Sequence, residues 1–287
     1  AMAAGREQKI MHFELANESW QNGFPGDSGI AELRALTSYM QARTDILVAS
    51  SAPAGLECSD VQALYGGGVG DLATIHFDRN TGMVEGHWRP VRQPWEHAYC
   101  EGVPTGSNNE PIGPGSSVAS EDDPVKLVAA AMTTWIANIP MYVWHSRAGI
   151  RGDTDVWTQA GFDAFVPVRT MAPSDLPGWS RKNAHWGDSP FRVFAEEGGA
   201  SYGDTMWVDL GSPSGGVVRA YGSVSGNNYV VFPIGILDHV RMEARRAMTY
   251  EVVNPMSGDL VTAGTLDAGG SITLSGATAL LVMGAYL

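Results

Sequence analysis

Two Asn-Glu pairs stand out for the chemistry their side chains could do: Asn17-Glu18 in HFELANESW and Asn109-Glu110 in GVPTGSNNEPIG. Each closes a short run of strand character, so each carboxyl is expected at a strand end. Two carboxyl groups about 5–5.5 Å apart can break a glycosidic bond with retention. One protonates the leaving oxygen and the other attacks the anomeric carbon. An amide beside the proton donor can hold the sugar 2-hydroxyl. Glu96 and Glu101, in PWEHAYCEG, are rivals for the attacking role. The other expected strand ends add Ser50, Ser51, His76, Asp78, Trp144 and His145.

Positioning these groups calls for a particular order of elements. Short apolar runs at Ile10–Leu15, Ile46–Ser50, Ala73–Phe77, Val103–Ser107 and Met141–Trp144 read as strands. Helical patterns fall between them, at 29–43, Cys58–Tyr65, 81–92 and 122–138, with another near 154–170. In the first, Ile30, Leu33, Leu36, Tyr39 and Met40 share one helical face, and Asp27 and Ser28 stand at its expected N-cap. In the fourth, DDPVKLVAAAMTTWIAN, the leading acids suit the helix dipole and Pro124 suits the first turn. Glu121-Asp122-Asp123 therefore reads as a helix start, not a metal site. Strands alternating with helices call for a parallel sheet. After MAPSDLPGW (171–179) the pattern becomes short β runs separated by turns, as in an antiparallel β-sandwich. The expected division is 1–178 and 179–287.

Composition narrows the function. With 18 Lys and Arg against 31 Asp and Glu, the net charge of -13 offers no basic surface for phosphates, so no nucleic-acid partner is expected. No apolar run approaches the roughly 18 residues of a membrane span. A soluble protein is expected, with secretion or association with a virus particle left open. Cys58 and Cys100 show no metal-ligand spacing and read as two buried thiols, a single disulfide being the alternative. No Ser stands at a strand-to-helix nucleophile elbow, which argues against a serine esterase.

ELANESW resembles the fourth-strand signature of the clan A glycoside hydrolases, retaining enzymes built on (β/α)8 barrels. The resemblance implies Glu18 as acid/base, kept protonated by the negative charge of Glu110, with Asn17 as the 2-hydroxyl contact. Glu110 matches the nucleophile, with Asn109 beside it. His76, in TIHFDRN, matches a sixth-strand position near the nucleophile. Trp144 matches the eighth-strand aromatic that floors the sugar subsite; His145 next to it reads as structural or as a subsite donor. NPMSGDLVTAGTLDAGG is similar to the small β-domain that follows such barrels. No cofactor or metal is implied, and the substrate is a β-linked carbohydrate.

Counting Glu18's strand as the fourth gives α/β plus all-β architecture: a partial TIM-type barrel from strand four onward, then a β-sandwich. Five strands do not close a barrel, and an open sheet leaves unpaired edges. The expected partner is a second copy in a homodimer, or a partner chain completing the barrel; the third alternative is that the sequence is a part of a longer chain. The competing expectation is a non-catalytic carbohydrate-binding or structural protein derived from such a hydrolase.

Overall fold

A computed structural model of the chain describes residues 7–55, 57–77, 91, 94, 100, 102–104, 106–109, 112–113, 121, 123–143, 165–182, 189–197, 200–201, 207–208, 218–234, 240–274 and 279–287. The expected helix at 81–92 falls almost wholly outside these residues. The chain divides into two compact units. The first is drawn from Ala1–Phe77, Glu96–Pro111 and Ile139–Trp144, and the second from the remainder.

In the first unit, β1 (His12–Glu14) pairs in parallel with β2 (Leu47–Ala49), with His12 opposite Leu47 and Glu14 opposite Ala49. The pairing runs on past both strands, since Leu15 N–H donates to Ala49 O and Ala16 N–H to Ser50 O, each at 3.1 Å. A second parallel sheet holds β3 (Ala73–Ile75), β4 (Gly106–Asn108) and β5 (Met141–Tyr142), in that order. β4 lies later than the expected Val103–Ser107. Gly106 explains its register, because a Cβ there would collide with the Ala73 carbonyl oxygen of β3.

Helix α1 (Gly26–Gln41) crosses between β1 and β2, and α2 (Cys58–Tyr65) between β2 and β3. α1 corrects the sequence reading in two respects. Pro25, not Asp27 or Ser28, occupies its N-cap position. Its buried residues are Gly29, Leu33 and Thr37, whereas Leu36 and Tyr39 are exposed. Gly29 sets this face, because any side chain there would meet the Phe24 backbone. Thr37 holds it by bonding the Ser50 hydroxyl at 2.8 Å beyond the end of β2. Apolar periodicity alone misplaces the stripe when small and hydroxyl residues make the contact.

Among the described residues no strand ladder joins β2 to β3; the Tyr65 phenol spans the gap. Its oxygen accepts from Ser51 N–H at 3.1 Å and Thr74 N–H at 3.2 Å, and its proton goes to Ser51 O at 2.5 Å. That uses one donor and two lone pairs in full. Burial pushes the Tyr65 phenol up, so it stays protonated and remains a donor. Tyr65→Phe strands three buried backbone groups, and an unpaired buried group costs about 1–3 kcal/mol. The expected loss is about 3 kcal/mol in a chemical-denaturation titration. A loss under about 1 kcal/mol would show that the phenol does not bridge the strands.

The cysteines are not free thiols. Cys58, first residue of α2, is joined to Cys100 with 5.2 Å between Cα atoms, inside the range a disulfide spans.

The second unit contains α3 (Pro124–Ile136) and α4 (Phe165–Met171) with β6 (Ser180–Lys182), β7 (Phe191–Glu197), β8 (Ala200–Ser201), β9 (Trp207–Val208), β10 (Val218–Ser225), β11 (Asn228–Ile234), β12 (Val240–Ala244), β13 (Met248–Val253), β14 (Leu260–Leu266), β15 (Ser271–Leu274) and β16 (Leu281–Tyr286). One antiparallel sheet runs β14-β13-β16-β11-β10-β6, with β9 also on β10, and another runs β15-β12-β7-β8. Both contribute to one buried cluster that includes Phe191, Val193, Met242, Ile272, Tyr229, Met248 and Val282. β12 shows the period-two logic: Val240, Met242 and Ala244 are buried, while Glu243 pairs with Arg192 and Arg241, each at 3.1 Å. α3 is capped by Asp123, whose carboxylate accepts from Val125 N–H at 3.0 Å, and Glu121 pairs with Lys126 at 2.9 Å. Both acids serve the helix start. At the far end of α3, the Ser223 hydroxyl donates to Ile136 O at 3.1 Å.

Candidate functional site

The two parallel sheets of the first unit end in the same group of side chains. Glu18 stands four residues past β1, His76 one residue past β3 and Asn109 one residue past β4. Asn109 is held in line by its backbone N–H, which donates to Ile75 O at 2.9 Å.

His76 ties the three together. Its Nδ1 lies 3.3 Å from Glu18 Oε1, and its Nε2 lies 3.2 Å from Asn109 Nδ2. An amide nitrogen can only donate, so Nε2 accepts and the ring proton sits on Nδ1, directed at the Glu18 carboxylate. The His76 side chain is 6% exposed and that of Glu18 is 28% exposed. The histidine is thus a buried support, and the carboxyl remains reachable.

The backbone presenting Glu18 is unusual. Glu18 has φ 44°, one of two non-glycine residues with positive φ among the described residues. An L-residue in that region costs about 1–2 kcal/mol. Three contacts hold it there. Ser19 N–H donates to Ser51 Oγ at 3.0 Å, and the Asn22 amide donates to Asn17 O at 2.6 Å and Glu18 O at 3.3 Å. Strain of this kind, fixed by its surroundings, collects at functional sites.

Beneath the site, Thr74 Oγ1 donates to Glu14 Oε1 at 2.7 Å, bringing together side chains of β1 and β3. Glu14 escaped the sequence reading because it lies inside a strand. Its signal is the alternation His12-Phe13-Glu14, which puts a carboxylate on the same face as His12. Ser51 stands at an expected strand end, whereas Tyr65 and Gln21 carried no motif.

The Asn17 side chain is exposed, and Trp20 is half-buried. Glu110, Trp144 and His145 lie outside the described residues, as do Asp78, Glu96 and Glu101. Among the described residues no group of three or more His, Cys, Asp or Glu side chains could hold a metal ion. No described helix is long and apolar enough to cross a membrane.

No protein-family model matches the chain, and no curated protein matches its sequence. Several solved structures resemble it, among them the following two. One is a glycoside hydrolase family 5 protein from Bacteroides vulgatus, at 11% identity and TM-score 0.49, covering 92% of this chain and 69% of its own. The other is a family 30 endoxylanase from Clostridium papyrosolvens, at 13% identity and TM-score 0.46, covering 96% of this chain and 66% of its own. The chain thus spans about two-thirds of the length of each.

Proposed function

We propose that the protein is a retaining glycoside hydrolase acting on a β-linked oligo- or polysaccharide, with Glu18 as acid/base and Glu110 as nucleophile. The observation that carries this reading is the hydrogen-bonded run Glu18–His76–Asn109 across the ends of parallel strands. It links the first Asn-Glu pair to the second, whose Glu110 is the next residue in the chain. The ELANESW resemblance and the strained backbone at Glu18 support the same reading.

In this mechanism Glu110 attacks the anomeric carbon as Glu18 gives its proton to the leaving oxygen. A covalent glycosyl-enzyme forms. Glu18, now a carboxylate, takes a proton from the incoming water, and the sugar leaves with retained configuration. His76 Nδ1–H steadies Glu18 in its ionised phase. Asn17 contacts the 2-hydroxyl, Asn109 borders the nucleophile, Trp144 floors the subsite and His145 donates to the sugar. Residues 1–178 are taken as a barrel from its fourth strand onward and residues 179–287 as a C-terminal sandwich domain. The Cys58–Cys100 disulfide supports an oxidising compartment, as for a secreted protein.

Glu18→Gln and Glu110→Gln are each expected to lower turnover by about 10³-fold or more, since proton transfer and nucleophile are then missing. Azide should return activity to the Glu18 variant and give a β-glycosyl azide as product. Wild-type rates in both variants would overturn the assignment. Among the described residues the parallel strands form two separate short sheets, which favours one other reading, a non-catalytic carbohydrate-binding or structural protein derived from a glycoside hydrolase. Polysaccharide retention without product release would select it.

A further inference from the structure

Glu18 is held by a second side chain that the sequence did not single out. Gln21, in the same turn, donates its amide N–H to Glu18 Oε2 at 2.9 Å, while His76 faces Oε1 at 3.3 Å. Each carboxyl oxygen has its own donor, one arriving from beyond β3 and one from Glu18's own turn. The turn is rigid enough to aim them: Gln21 N–H donates to Glu18 O at 2.9 Å, and Asn22 N–H to Ser19 O at 3.1 Å. Gln21 itself is exposed, so nothing in the packing requires an amide there.

We propose that Gln21 is a positioning residue for proton transfer by Glu18, an inference that rests on the acid/base reading above. When Glu18 gives up its proton, negative charge spreads over both carboxyl oxygens. A donor on Oε2 then bonds a charged acceptor in place of a neutral one, and such bonds are about twice as strong. The contact strengthens as the proton leaves, so it lowers the barrier instead of merely tightening binding. It also fixes the carboxyl torsion, so the proton is presented in one direction.

The test separates leaving groups. A 2,4-dinitrophenyl β-cellobioside or β-xylobioside departs without protonation; the phenyl glycosides need the proton. Gln21→Met keeps the length and removes the donor. It is expected to lower kcat/KM on the phenyl glycosides about 10-fold and to leave the dinitrophenyl rates within about 2-fold. Equal losses on both substrates, or none on either, overturn the role of Gln21.

Glu18→Ala is measured alongside. If it lacks leaving-group dependence, the acid/base reading fails; if it shows the dependence and Gln21→Met does not, only the Gln21 inference fails. A parent chain that releases neither phenol refutes both.

Discussion

Glu18→Gly is expected to be more stable than Glu18→Ala by about 1 kcal/mol, while both lose turnover on substrates whose leaving group needs a proton. The order reverses the ordinary one, in which glycine in a regular element is destabilising by roughly 0.5–1 kcal/mol relative to alanine. The cause is the backbone at residue 18, where φ is 44°. Alanine removes the carboxyl but keeps the left-handed strain; glycine removes both. The two variants lose the same bonds from Gln21 and His76, so those losses cancel in the comparison. Denaturant midpoints of the pair, with rates on one substrate, check it. An alanine variant as stable as the glycine variant would mean that the turn does not strain its side chain. If the order holds, a residue that the fold would prefer as glycine is instead a glutamate, which is what a functional demand on that carboxyl predicts.

Part of this was legible in the sequence. Parallel strands bring successive C-terminal ends to one edge, so alternation and turn residues suffice to set Glu18, His76 and Asn109 near one another. The short range of such signals explains what was missed. The buried face of α1 follows from Gly29 packing on the Phe24 backbone and Thr37 bonding Ser50. Neither contact has a hydrophobic period. β4 lies later than expected because Gly106 and Ser107, poor strand formers by propensity, pair with Ala73 and Thr74. Gln21 and Tyr65 depend on rotamers. At NPMSG the turn was legible, and its chemistry is local: the Asn254 side chain accepts from Met256 N–H at 2.9 Å, and Gly258 has φ 80°. Cys58 and Cys100 carry no such local signature. Their pairing depends on how the start of α2 meets the segment before β4.

Removing that pairing is expected to cost about 4 kcal/mol, the largest stability change predicted for this chain. The bridge closes a loop with a sequence separation of 42 residues. Chain-entropy reasoning gives roughly 4 kcal/mol for a loop of that length. The closed segment contains β3, Thr74 and His76, and Cys100 precedes the strand that carries Asn109. Besides the bridge, α2 and β4 are tied through β3, by the Tyr65 hydrogen bonds and the β3–β4 ladder. The double substitution Cys58→Ser with Cys100→Ser, compared with the oxidised parent, should lower the melting temperature by roughly 10 °C. Dithiothreitol should produce the same fall in the parent and none in the double variant. If the proposed activity resides at Glu18, the half-life of turnover on warming should shorten in step. A parent indifferent to reductant would mean that the two sulfurs are unbonded, and that the site does not depend on a bridge.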